Sequence, residues 1–139
     1  MPAAGTQPRL CPIADALELL GERWALLAVR EMFWGVHRFS DIARNTGAPR
    51  DVLTVRLRRL VEAGVLERRQ YSERPPRWSY HLTPAGRDLS KVLMAIHEWA
   101  DLHLPAGDGV ERDAVPHGDH RVAPRSRWSC ATCGEELAD

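Results

Sequence analysis

The chain has 139 residues, 44% of them hydrophobic, which suits one compact domain with short appendages and excludes wholesale disorder. Nineteen basic side chains balance nineteen acidic ones, so the total charge argues against a nucleic-acid partner, but the distribution reverses that. Between residues 44 and 87 ten arginines meet four acids, a local +6 that leaves −6 on the remainder, and a concentrated basic patch is what attracts phosphates.

The first ten residues are polar and Pro-rich, with no secretory pattern, and they read as a flexible leader. The longest apolar run, residues 24–29, is far too short to span a bilayer. A cytoplasmic protein with no membrane partner is expected. Three cysteines, an odd number, argue against a disulfide framework.

Cys11-Pro12 opens a first helix, with Pro placed where a missing N–H is harmless. Ile13, Ala16, Leu17 and Leu20 share one face, and Gly21 ends the helix. Residues 22–33 form a second helix carrying Trp24, Ala25, Leu26, Leu27, Val29, Met32 and Phe33. A helix apolar nearly all round is expected to be central and buried. A short third helix covers about 39–45, with Ser40 as its cap and Phe39, Ile42 and Ala43 inward. Asn45-Thr46-Gly47-Ala48 makes a tight turn. A fourth helix then runs from Pro49 or Arg50 to about Ala63, with Leu53, Leu57, Leu60 and Val61 as its buried stripe and Gly64 as its terminator.

Residues 65–71 and 77–82 read as two strands around a turn at 72–76, with Trp78, Tyr80 and Leu82 on one face by alternation. Thr83-Pro84 caps a last helix reaching about Leu104, striped with Leu89, Val92, Leu93, Ile96 and Trp99. The polar tail, 105–139, ends in the knuckle Cys130-Ala131-Thr132-Cys133-Gly134. The fold class is mainly α with a small antiparallel β-hairpin wing (α+β), a winged helix-turn-helix spanning 11–104.

On a helical wheel the fourth helix turns Leu53, Leu57 and Leu60 inward. Asp51, Val55, Arg58, Arg59 and Glu62 face the other way, flanked by Arg50, Thr54 and Arg56. A helix in the major groove needs such a side, with short residues for base edges and Arg for guanines and phosphates. The hairpin adds Arg69, Arg74 and Arg77 for the adjacent minor groove, and Pro75 and Pro76 stiffen it. With Arg38 ahead of the third helix, these are the candidate contacts to double-stranded DNA. Any single arginine reads first as solvated surface; the ordered whole is what favours DNA.

These segments resemble the HxlR family of winged-helix transcriptional regulators, related to the MarR group. The likeness rests on Cys11-Pro12-Ile13, Leu20-Gly21-Glu22-Arg23-Trp24, Arg38-Phe39-Ser40-Asp41-Ile42, Glu62-Ala63-Gly64-Val65-Leu66-Glu67-Arg68, Pro75-Pro76-Arg77 and Tyr80-His81-Leu82-Thr83. The resemblance implies a homodimer formed by the first and last helices on a pseudo-palindromic operator. It also implies control by a small-molecule effector or by oxidation of a cysteine. Two departures stand out: Pro49-Arg50-Asp51 replaces the family's Ser-Pro-Arg, and Val55 replaces a polar residue. Base preference therefore does not carry over, and Val55 is suited to a thymine methyl group.

Cys11 sits where related regulators place a redox-sensing thiol, and there the helix N-terminus and Arg9 supply positive potential. The competing reading is an inert cysteine at the dimer contact. Cys130 and Cys133 offer two thiolates to zinc, and His117 and His120 have matching spacing, so a structural zinc site is one expectation for the tail. An empty remnant or an intramolecular disulfide are the others, and function requires no cofactor. Trp24, Phe33, Trp34, Phe39 and Trp99 read as core, or as the lining of a ligand cavity. No Gly-rich phosphate loop, nucleophile elbow or His-Glu-x-x-His motif is present, so an enzyme is not expected. The rival to DNA binding is a non-catalytic protein-interaction adaptor, mildly favoured by Asp51.

Overall fold

The computed structural model describes residues 8–105, 107 and 115–137. Residues 1–7 of the expected leader and several residues of the tail lie outside the described residues. The elements run α1 (Pro12–Leu20), α2 (Arg23–Phe33), α3 (Phe39–Thr46), α4 (Arg50–Glu62), β1 (Leu66–Glu73), β2 (Pro76–Leu82) and α5 (Pro84–His103). Two short pieces follow, β3 (Pro116–His117) and β4 (His120–Arg121). The chain divides into two compact units, Met1–Leu89 and Ser90–Asp139. No helix among the described residues is long and apolar enough to cross a membrane.

The first unit is built on α2. Ala25, Ala28, Val29 and Met32 are buried against Ile42 and Ala43 of α3 and Leu53, Leu57 and Leu60 of α4. These positions recur at three- and four-residue spacing, so each helix turns one stripe inward. Val65 and Leu66 extend the core to the root of the wing. α2 is not buried all round, however. Phe33 and Trp34 are exposed, and Arg30 lies over the Trp34 ring at 5.1 Å. An aromatic at a helix C-terminus needs no burial when a cation covers its face.

Local chemistry sets the helix ends. Cys11 caps α1, its Sγ accepting from the Ala14 N–H at 3.3 Å, with Pro12 at the first helical position. Glu22 caps α2, accepting from Trp24 and Ala25 N–H groups at 3.0 and 2.5 Å. The expectation that Ser40 caps α3 does not hold. Arg38 occupies that position and makes no side-chain bond there, while Ser40 lies inside the first turn. Gly47 ends α3 at φ 76°, a left-handed conformation that a Cβ would strain, and this makes the sharp turn into α4 possible.

Glu31 is the one buried charged group among the described residues. Its Oε1 accepts from Arg30 Nη2 at 2.8 Å and Nε at 3.2 Å, and its Oε2 accepts from Asn45 Nδ2 at 2.8 Å. The carboxylate thereby ties the end of α2 to the last turn of α3.

β1 and β2 pair antiparallel, from Leu66 opposite Leu82 to Glu73 opposite Pro76, with an irregularity between Gln70 and Ser72. The strands are longer than the sequence suggests, and the turn shrinks to Arg74-Pro75, because the irregularity absorbs one extra residue. Thr83 joins the wing to α5. Its hydroxyl sits 2.9 Å from Val65 O and accepts from Gly86 N–H at 3.2 Å. A Cβ on Gly86 would stand 2.2 Å from Val65 O, so only glycine allows this approach.

In the second unit no described residue is buried. Of the apolar stripe on α5, Val92, Ile96 and Trp99 are exposed. β3 and β4 form a two-residue hairpin, and a second short ladder joins Ser129 to Glu136.

Candidate nucleic-acid interface

α3, the Gly47 turn and α4 form the helix-turn-helix, and β1–β2 form the wing beside it. Residues 37 and 38 meet the wing through one isolated bridge. The Tyr80 N–H donates to His37 O at 2.9 Å, and Arg38 bridges to Ser79. The segment entering the helix-turn-helix is thus bonded to the returning strand, which fixes the wing relative to α3.

The exposed face of α4 carries Asp51, Thr54, Val55, Arg58, Arg59 and Glu62. Val55 is 44% exposed, an apolar group held out to solvent in the middle of this face. The Thr54 hydroxyl donates to Arg50 O at 2.8 Å, which leaves its lone pairs as an acceptor. The Arg50 guanidinium lies over Phe39, 4.9 Å from the ring centroid, so half-buried Phe39 packs on a cation rather than lining a cavity.

The arginines divide into two groups. Arg58, Arg74 and Arg77 are exposed and have no side-chain partner among the described residues. The others are engaged. Arg56 Nε stands 3.1 Å from Glu22 Oε2, with both side chains largely covered. That N–H is aimed off the carboxylate and forms no proper hydrogen bond, so the contact is electrostatic. Arg56 therefore braces α4 against the cap of α2 and is withdrawn from the reading face. Arg59 donates to Glu18 O at 3.1 Å, satisfying one of the orphan carbonyls at the end of α1. Arg69 pairs with Glu67 through Nε at 2.8 Å. Arg38 lies over Tyr71 at 4.8 Å, and Arg68 over Trp78 at 4.1 Å. A stacked guanidinium keeps its edge N–H groups for a phosphate, so Arg38 and Arg50 are pre-positioned rather than lost.

Two histidines meet at the wing root. His37 and His81 stack with centroids 4.3 Å apart and planes 20° from parallel. His37 Nδ1 is 2.9 Å from Tyr80 O, and His81 Nε2 is 2.8 Å from Ser79 Oγ. Burial holds the His81 imidazole below its ordinary range, the charges of His37 and Arg69 push it the same way, and Glu67 opposes them. Their 44-residue separation, and the absence of any local motif, hid the pair in the sequence.

Cys11 is half-buried, with its sulfur engaged as the α1 cap. In the tail, His117 and His120 meet edge to face across the β3–β4 turn, with centroids 5.2 Å apart. Cys130 and Cys133 lie in a separate knuckle, closed by the Gly134 N–H donating to Cys130 O at 2.7 Å. Backbone N–H groups of Cys133 and Thr132 point at the Cys130 sulfur and hold its thiol below the ordinary range. The four side chains are not gathered into one site: among the described residues no three His, Cys, Asp or Glu groups could hold a metal ion.

A family model described as HxlR-like helix-turn-helix matches residues 19–108. The HTH-type transcriptional regulator Rv3095 of Mycobacterium tuberculosis is 46% identical over 127 residues, 90% of this chain and 78% of that one. The crystal structure of the transcription factor PA1607 superposes with a TM-score of 0.75 at 33% identity, covering 92% of this chain and 89% of the other. A match that long extends past α5 into the tail. The redox regulator HypR in its reduced form gives a TM-score of 0.61 at 29% identity, over 66% of this chain and 92% of its own.

Proposed function

The chain belongs to the HxlR-like helix-turn-helix family of DNA-binding transcriptional regulators, and on that premise we propose that it acts in the cytoplasm as a homodimer on a pseudo-palindromic operator. The observation that carries this reading is the grouping of unpartnered Arg58, Arg74 and Arg77 on α4 and the wing. α4 enters the major groove with Thr54, Val55 and Arg58 toward base edges. Arg38 and Arg50 reach phosphates, and Arg74 and Arg77 carry the wing along the flanking minor groove. Arg56 braces the helix from its covered flank, and Arg59 ties its exposed face to the end of α1.

Support for two copies comes from unpartnered apolar faces. α1 exposes Ile13 and Leu17, and α5 exposes Val92, Ile96 and Trp99. A second chain covering these faces would pair two reading helices, and a pseudo-palindromic operator needs them about one duplex turn, roughly 34 Å, apart. Selection of bound duplexes from a random pool tests the whole reading. Enrichment of a palindrome with half-sites about one turn apart is expected, and recovery of no enriched duplex would defeat it.

Control is proposed to act on that spacing. Oxidation of Cys11 would remove the cap of α1 and shift the population between two dimer geometries. A small-molecule effector would act by favouring the same two states unequally. The likeness to a redox regulator supports the first route. After mild peroxide treatment, mass spectrometry should find Cys11 modified and operator affinity changed; an unmodified thiol with unchanged affinity removes this route. Zinc at Cys130 and Cys133, with further ligands from another chain, is a separate proposal. Protein purified without added metal and lacking stoichiometric zinc would end it.

A further inference from the structure

The second compact unit holds an open cleft of about 350 Å³ between one side of α5 and residues 125–128 of the tail. That volume lies at the small end of the roughly 300–1,000 Å³ typical of small-molecule sites. α5 contributes Lys91 and Met94, and the tail contributes Arg125, Ser126, Arg127 and Trp128. Three cations thus converge on one space. The acid beside them is Glu98, whose carboxylate accepts the Ser126 N–H at 2.6 Å and is held below its ordinary range chiefly by hydrogen bonding to Ser126. Glu98 is used in pinning the tail to the helix, and positive charge remains in excess. Arg125 is held by its own contact to Pro124 O at 2.7 Å. Lys91 and Arg127 have no partner among the described residues.

The remaining walls are apolar. Trp128 is 53% exposed and Met94 36%. The Trp128 main chain is held by the Leu137 N–H donating to its carbonyl at 2.8 Å, beside the Ser129–Glu136 bridge. A bare inorganic anion would meet the cations and leave Trp128 and Met94 in water. A neutral hydrocarbon would cover the ring and strip water from unpaired cations, which is unfavourable. One chemical class satisfies both walls. We propose that this cleft binds a small organic anion with a flat apolar body, its carboxylate between Lys91 and Arg127 and its body against Trp128 and Met94.

The cleft stays open in a dimer. At 3.6 residues per turn Lys91, Met94 and Glu98 share one side of α5, and Val92, Ile96 and Trp99 the far side. A second copy covering the latter leaves the former free. The inference concerns binding alone, and it stands whether or not occupancy alters the grip on DNA.

Calorimetric titration of the full chain, without duplex, tests it with three probes: 2-naphthoate, its neutral amide and inorganic phosphate. Naphthoate should bind saturably at one per chain, and the amide at least about tenfold more weakly. Phosphate at equal concentration should not displace naphthoate. The paired change Lys91→Ala with Arg127→Ala, and separately Trp128→Ala, should each weaken naphthoate about tenfold or more, with the circular dichroism unchanged. The proposal fails if naphthoate gives no saturable heat, if the amide binds equally, or if phosphate competes equally. It fails too if the cation variants weaken duplex binding and leave the naphthoate isotherm as it was, which would assign these side chains to DNA phosphates.

Discussion

The two compact units obey the same helical patterning and end differently. In Met1–Leu89 the apolar stripes of α2, α3 and α4 cover one another, and Val29, Ile42, Leu53, Leu57 and Leu60 are sealed from water. In Ser90–Asp139 the stripe on α5 is as regular, yet Val92, Ile96 and Trp99 remain open, with Trp128 and Leu137 exposed as well. Periodicity reports that a face is apolar. It does not report what covers it. In the first unit α2, α3 and α4 supply their own cover, whereas α1 and the second unit present faces suited to a second chain or a ligand.

That contrast breaks most directly in the core. Leu57 is fully buried between α4 and its neighbours, so Leu57→Ala should lower unfolding free energy by about 2–5 kcal/mol in urea denaturation. A loss well under about 1 kcal/mol would mean the first unit is not sealed as described. On α5 the same experiment should read differently. Ile96→Glu should change the unfolding of an isolated chain little, because Ile96 is already half in water. It should instead raise the dimer dissociation constant by about a hundredfold, roughly 2.7 kcal/mol, as seen by light scattering across a dilution series. If the variant self-associates like the parent, α5 is not the contact.

The sequence made the inward stripes and helix ends legible, because each is a local signal. Pro12 and Gly21 bracket α1, and Leu53, Leu57 and Leu60 recur at helical spacing. What it hid depends on contacts between distant residues. On a wheel Arg59 lies on the outward face and Arg56 on its flank. Arg56 meets Glu22 and Arg59 meets the Glu18 carbonyl, partners that only the fold brings near. The α5 stripe was legible as apolar, but no local pattern says whether one chain or two covers it. Ser40 was misread because Ser is favoured at caps generally, whereas here the backbone enters the helix one residue ahead of Phe39.

The division among arginines gives a finer test on α4. Arg58→Ala should weaken operator binding by about 1–3 kcal/mol and reduce the salt slope by about one phosphate's share, with stability unchanged. Arg56→Ala should do the reverse. It should lower stability by about 1 kcal/mol, since Glu22 keeps two backbone donors and is not orphaned, and it should leave the salt slope alone. Equal effects of the two changes on slope would erase the distinction between reading and bracing side chains.

The smallest expected effect lies at the wing root. His81 touches His37 through the ring stack and Ser79 through Oγ, with Arg69 and Glu67 facing it from β1. Burial first, then the charges of His37 and Arg69, favours the neutral ring over the ordinary value of 6.5. A group whose folded value is depressed contributes its stability above the unfolded value and loses it as pH falls through the folded one. The first unit should therefore hold full stability above about pH 6.5 and weaken modestly as pH drops below it. His81→Gln should flatten that slope in thermal melts at a series of pH values between about 7.5 and 5.5. Melting is the right readout, because added positive charge at low pH strengthens duplex binding for any basic surface and would mask the loss. Parallel pH curves for parent and variant would show that the stacked pair does not sense protons, and that the wing is held to α3 by its backbone bonds alone.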